Sequence, residues 1–302
     1  MKETFSGYYK DSDILNVLRT NKAIIVIDPL VLNNLFWFDD DIWRPILDLL
    51  RKREGSLWLP YSMADTYHRQ IMPAIVSRIH SLVSIKSRIK QAADLMKTIP
   101  MKKDIEDEFK KISDEVSAKL TKEIAYVRQK GRKDSAIRGA IAELYKGKIG
   151  LPNNDPDPKS FKVKSYMNID DTNAISENDL SQYESSVRTI IPQKDKNDII
   201  LHTLIKLGED KNKDIVYIIT KPSEYWSIFI GRTSFGPNPD HQTYFRKNSG
   251  HDLYCCTFST FIDQLSYIED VFLNESVKNN LRRLSYTSDV QNNDEDIFSI
   301  VR

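Results

Sequence analysis

The sequence predicts an α/β fold with a central, mainly parallel sheet flanked by helices and a long inserted antiparallel helical hairpin. Three observations lead there. Short, wholly apolar runs such as AIIVID at 23–28 read as strands buried on both faces, which is the habit of a parallel sheet. Between these runs stand segments whose apolar residues recur at three- and four-residue steps, so strands and helices alternate. From Ser62 to Val127 the helical rhythm continues with a single break at 98–100.

Taken in order, Ser12-Asp13 before Ile14, Leu15, Val17 and Leu18 predicts a capped short helix. The first strand, 23–28, ends in the carboxylate of Asp28, at the carboxyl edge of the sheet. Asp39-Asp40-Asp41 precede an amphipathic helix carrying Ile42, Trp43, Ile46, Leu47, Leu49 and Leu50, with its acids at the dipole's positive end, and Gly55 closes it. Leu57 to Pro60 is expected to be a short second strand. Two apolar stripes follow, Ile71 to Ile89 and Ile105 to Val127. They predict the hairpin, whose second arm would be about 35 Å long at the helical rise. A third helical segment, 136–146, closes at Gly147. Residues 151–189, rich in Asn, Asp and Ser, predict a polar surface connection. A helix over 195–207 then leads to strands at 214–220 and 252–257, with a Gly/Pro loop at 231–239 between them. Helices are expected at 260–267 and 275–284, followed by a polar tail. The organisation expected is thus a core at 1–70 and 191–284, the insertion at 71–150, the connection at 151–190 and the tail at 285–302. The four tryptophans, Trp37, Trp43, Trp58 and Trp226, are expected in the core.

Bulk composition narrows the function classes. With 44 Lys and Arg against 43 Asp and Glu the net charge is +1, which excludes a whole-chain basic field for gripping nucleic acid but leaves room for a local patch. No run reaches membrane-spanning length and the first residues lack the apolar stretch of a signal peptide, so a cytoplasmic location is expected. The two cysteines, Cys255 and Cys256, are adjacent and would point to opposite faces of a strand, so neither a disulfide nor a zinc motif is expected.

Five segments in order carry a family resemblance. They are IDPLVLNNLFWF at 27–38, LWLPYSMADTYHRQ at 57–70, GKIGLP at 147–152, IPQKDKNDIILH at 191–202 and IITKPSEYW at 218–226. Together they span about residues 8–268 and resemble the bacterial PIN-like domain family. The resemblance implies a nuclease dependent on Mg²⁺ or Mn²⁺ that hydrolyses phosphodiesters of RNA or DNA, serving as an effector in bacterial defence against phage. Such domains gather carboxylates at the carboxyl edge of the sheet because hard divalent ions take oxygen ligands. The metal then lowers the pKa of a water and stabilises charge on the phosphate during in-line attack. Carried over residue by residue, Asp28 matches the first acidic position, and Asp195 and Asp198 the third; these three are the expected metal ligands. Thr66 stands where the family has Glu, with Asp65 beside it, and Lys221-Pro222 stand where two aspartates are expected. Pro29-Leu30 replace the usual Thr-Asn. Asp65 and Glu224 are the candidates for a further oxygen ligand.

Three functional readings stand open: an active nuclease; a degenerate PIN-like subunit, suggested by these departures, that binds nucleic acid or a protein partner, such as a defence ATPase gripping the hairpin; and a structural subunit whose hairpin mediates oligomerisation. Nucleic-acid contacts are expected from Arg128, Lys130, Arg132 and Lys133, a run without neighbouring acids, and from Lys221. Plainer roles stand beside each of these. Asp28 would serve any α/β protein as an N-cap, Asp198 would complement a helix dipole, and His68 and His202 would be packed or solvent-facing histidines rather than ligands.

Overall fold

A computed structural model describes residues 14–99, 102–151, 193–223, 225–230 and 233–286. Its elements are α1 (Ile14–Thr20), β1 (Ile24–Ile27), α2 (Pro29–Asn34), α3 (Asp40–Arg51), α4 (Tyr61–Met96), α5 (Lys103–Gly131) and α6 (Ala136–Leu144). They continue with α7 (Gln193–Lys211), β2 (Ile215–Ile219), β3 (Ser227–Ile230), β4 (Thr233–Pro237), α8 (Pro239–Ser249), β5 (Leu253–Thr257), α9 (Phe258–Ile268) and α10 (Glu275–Tyr286). The expected polar connection beyond Leu151 and the tail beyond Tyr286 lie outside the described residues. Among the described residues no helix is long and apolar enough to cross a membrane.

Two compact units divide the chain. One takes the described residues of 1–68, 140–164 and 191–302; the other holds 69–139, so the chain leaves the first unit within α4 and re-enters it within α6.

The first unit is built on a parallel sheet in the order β1-β2-β5. Ile24 pairs with Ile215 and Ile215 with Leu253, so β2 is covered on both edges. Every residue of β1 and β2 is buried, which is why IIVI and IVYII carry no polar alternation. Three of the four expected strands thus stand within a residue or two of where the apolar runs put them. The remaining one, Leu57 to Pro60, is reduced to single-residue bridges: Leu57 lies parallel to Ile25, and Leu59 parallel to Ile149. Pro60, which has no N–H to add to a ladder, ends the segment at once.

The Gly/Pro loop expected at 231–239 is instead mostly ordered structure. β4 pairs antiparallel with β3 across a register shift at Ile228/Phe229. Asn238 then caps α8, its side chain accepting from Asp240 N at 3.0 Å with Pro239 in the first turn, and Gly250 ends the helix at φ 75°. Periodicity could not announce α8, because Phe245 is the large apolar side chain it buries. That phenyl ring lies against Gly208 of α7, where an added Cβ would come within 3.0 Å of Phe245 Cζ. The glycine lets the two helices close on each other.

Helices α9 and α10 complete the core. Phe258, Phe261, Ile262 and Leu265 recur at helical spacing and are all buried, and α9 packs on β2, β5, α1 and α3. An ion pair locks this side: Arg53, just after α3, meets Glu269 at the end of α9 at 2.5 Å, both largely buried. The same guanidinium donates to Leu18 O of α1 at 3.0 Å. Of the tryptophans, Trp43 and Trp226 are core residues. Trp58 is half-buried beneath Lys211, whose Nζ stands 3.8 Å from the ring centre, and Trp37 is 41% exposed. The aromatic content of a segment gives burial on average, and a short 3-10 turn such as 35–37 leaves one face to water.

In the second unit α4 and α5 run antiparallel. Lys86 Nζ donates to Thr121 Oγ1 at 2.8 Å, and Gly131 faces Ile75 so closely that a Cβ would lie 2.8 Å from Ile75 Cδ1. Residues 86 and 121, and 75 and 131, are thus level with each other, which is the pattern of a hairpin.

Candidate functional site

The carboxyl edge of the sheet is where the chain's chemistry-bearing side chains meet. Asp28 still holds the strand register through its backbone, donating to Ile218 O at 2.9 Å. It then turns, at φ −57° and ψ 137°, to cap α2, with Pro29 in the first turn. Its Oδ1 accepts from Leu30 N at 2.7 Å. Its Oδ2 accepts a short hydrogen bond from the phenol of Tyr217, which is fully buried in the middle of β2. Burial raises the Asp28 carboxyl above its usual range, while the bonds from Tyr217 and Leu30 pull it back. Burial, then the charge of Asp28, pushes the Tyr217 phenol well up.

From Tyr217 an aromatic chain leads to the second carboxylate. The Tyr217 ring lies 4.9 Å from Trp226, and Trp226 lies 5.0 Å from Tyr225, edge to face. Tyr225 stacks on His241 of α8, at 4.2 Å and 27°, and its hydroxyl donates to Asp198 Oδ1 at 2.5 Å. Asn238 pins the segment, its Nδ2 donating to Tyr225 O at 3.2 Å and its N to Trp226 O at 2.9 Å. Burial raises the Tyr225 phenol, with Asp198 adding to it, and burial lowers His241. Asp28 and Asp198 therefore belong to one cluster, each held by a tyrosine hydroxyl.

The other expected ligands fall out differently. Asp65 is part-buried in the first turns of α4. Thr66, where the resemblance expects Glu, turns its Oγ1 back to Ser62 O at 2.8 Å, a bond internal to the helix. Asp195 lies in the first turn of α7, one turn before Asp198; its side chain, like the whole of Glu224, lies outside the described residues. Lys221 follows β2 at the same edge and is half-exposed. Among the described residues no group of three or more His, Cys, Asp and Glu side chains is placed to hold a metal ion. A divalent ion needs about six oxygen ligands. The described edge offers one carboxylate with both oxygens already bonded and a second with one oxygen bonded, so the described residues do not fit a complete Mg²⁺ or Mn²⁺ centre.

Two corrections concern the basic run. Arg128, Arg132 and Lys133 are exposed as expected, but Lys130 is only 6% exposed and its Nζ sits 4.2 Å from the centre of the Tyr126 ring. Its place on the helix, two residues from Arg128, turns it to the opposite side. Nor is the run free of compensating acid, since Arg132 Nε pairs with Asp134 at 3.1 Å. His68 and His202 are exposed; His202 sets its ring 6.1 Å from Tyr244, edge-on. Tyr217, Tyr225 and His241 have no assigned role in the sequence reading, and Trp226 has only a place in the core. A tyrosine inside an otherwise aliphatic strand was one available signal, because a buried phenol needs a partner; nothing in the sequence pointed to His241.

Comparison with protein-family models, with curated proteins and with solved structures found no match to this chain.

Proposed function

We propose that the chain is a PIN-like domain whose nuclease centre has turned into a recognition element, so that it binds nucleic acid without cleaving it. One observation carries this: both described carboxylates at the sheet edge are already hydrogen-bonded by tyrosine hydroxyls, Tyr217 on Asp28 and Tyr225 on Asp198. Each hydroxyl takes up one lone pair of an oxygen that would otherwise be open to a metal. Thr66 and Lys221 point the same way, since neither supplies an anionic ligand. Exposed Arg128, Arg132 and Lys133 are the phosphate contacts in this reading. With the PIN-like reading goes a role in bacterial defence against phage, beside a partner ATPase.

A second reading, an active Mg²⁺- or Mn²⁺-dependent nuclease, is favoured by one feature: Asp28 and Asp198 are joined through a single aromatic cluster at the edge where PIN-like catalysis belongs. Asp195 and Glu224 would supply the remaining oxygens. Calorimetric titration with Mn²⁺, paired with binding and cleavage assays on single-stranded RNA and duplex DNA, separates the two. The recognition reading expects no saturable Mn²⁺ binding, intact nucleic acid, and RNA binding that weakens with salt at a log–log slope of about 2 for three phosphate contacts. Arg128→Glu, Arg132→Glu and Lys133→Glu combined should abolish that binding. Near-stoichiometric Mn²⁺ binding, lost with cleavage in Asp198→Asn, would establish the nuclease instead.

A further inference from the structure

Asp198 is a carboxylate fixed from one side and open on the other. Its Oδ1 accepts from the Tyr225 hydroxyl at 2.5 Å, while among the described residues Oδ2 accepts no bond. The donor is itself held. Tyr225 stacks on His241 at 4.2 Å, and its carbonyl accepts from Asn238 Nδ2 at 3.2 Å. The carboxylate is therefore oriented before any ligand arrives, so binding loses little to ordering it.

Two helices set rings around this group. On α7, Asp198 and His202 are one turn apart and share a face; on α8, His241 and Tyr244 do so at a three-residue step. The two faces meet where α8 packs on α7: the His202 and Tyr244 rings stand 6.1 Å apart at 84°. After burial and Asp198, Tyr244 is the next group to raise the Tyr225 phenol, which puts its hydroxyl in the same cluster. Yet Tyr244 is 43% exposed, and His202 is exposed as well. An oriented anion beside rings left half in water supplies a fixed acceptor and a flat surface for stacking.

Those two parts define the ligand by its chemistry. It must be planar, with a π face for the tyrosine, and must present adjacent N–H donors along one edge, because a carboxylate only accepts. Among the common nucleobases guanine has that edge. Its N1–H and N2–H stand side by side, one for Oδ2 and one for the lone pair left on Oδ1. Adenine and cytosine each bring one amino donor beside a ring nitrogen whose lone pair would face the second oxygen. Uracil brings a single N–H between two carbonyls. In a duplex the guanine edge is taken up by cytosine, so the base must be unpaired.

We infer that Asp198, Tyr244 and His202 form the subsite for an unpaired guanine base of single-stranded nucleic acid. The inference rests on the recognition reading above and names what is recognised. Fluorescence anisotropy on the full chain in EDTA tests it, with short uridine oligomers carrying one central guanosine, inosine or adenosine. The guanosine oligomer should bind about tenfold tighter than the adenosine one, and inosine, which lacks the N2 amine, should fall between them. Asp198→Asn keeps an oxygen for the Tyr225 hydroxyl but sets an amide N–H₂ against the guanine donors, so the preference should vanish. Tyr244→Ala should weaken the guanosine oligomer about tenfold, and Tyr244→Phe, which keeps the ring, should restore it. Equal affinity for the guanosine and adenosine oligomers, or a preference that survives Asp198→Asn, overturns the inference and leaves the recognition reading standing. Failure of every oligomer to bind overturns both. Displacement of the guanosine oligomer by arginine amide at lower concentration than by guanosine also overturns it, and assigns the cluster to a peptide guanidinium.

Discussion

Asp28→Ala should lower the free energy of unfolding by about 3 kcal/mol in urea melts, the sum of about 1 for a lost N-cap and about 2 for a buried donor left without its acceptor. The side chain does two jobs at once, capping α2 through Leu30 N and receiving the Tyr217 phenol. Asp28→Asn should retain most of this stability, since its one amide oxygen can keep the cap by accepting from Leu30 N while its Nδ2 donates to the Tyr217 oxygen, reversing that bond. The two variants also fix the sign of a pH effect. The folded-state carboxyl lies above its ordinary value because of burial. The folded protein therefore holds this proton more firmly than the unfolded chain does. Its contribution is fully present below the unfolded value of 3.8 and is lost as pH rises through the raised folded value. Wild-type stability relative to Asp28→Asn should thus fall as pH rises from about 3.5 towards neutrality. A flat difference across that window would mean that the carboxyl is not buried as described.

Arg53→Ala is expected to cost about 3 kcal/mol, because removing one partner from a largely buried pair leaves the other charge desolvated and unpaired. Here Glu269 would be stranded, and Leu18 O would lose its donor. The double variant Arg53→Met/Glu269→Leu should recover most of the loss, since apolar side chains of similar length avoid the desolvation altogether. The part not recovered reports the Leu18 bond. If the double variant is no more stable than the single one, the pair is contributing more than its own desolvation.

The strands at 24–27, 215–219 and 253–257 were legible because a strand buried on both faces leaves no choice of residue type, and IIVI, IVYII and LYCC say so directly. The hairpin was legible for a related reason: over 60 residues at helical spacing cannot be a strand. What escaped was set by contacts distant in sequence. Helix α8 gains its stability from one phenylalanine seated on Gly208, and no periodic stripe records that. The reduction of Leu57–Pro60 to isolated bridges depends on Ile149, some ninety residues on. At the site, the positions of Asp28 and Asp198 followed from strand and helix ends, but their partners did not. Tyr217 reaches Asp28 across 189 residues of chain, and Tyr225 reaches Asp198 across 27. Lys130 shows the limit from the other side, since a run of cations in sequence is spread around a helix in space.

The adjacent cysteines give the sheet a use at the bench. Both are free and buried on β5, and burial pushes Cys255 well above its usual value and Cys256 up to about 12. Neither has much thiolate to offer a maleimide or disulfide reagent while the sheet is closed. Once β5 comes away, both regain an ordinary thiol's reactivity. Labelling kinetics in the absence of denaturant would therefore time the opening of the central sheet, and a two-label product with no one-label intermediate would mean that β5 is released as a whole.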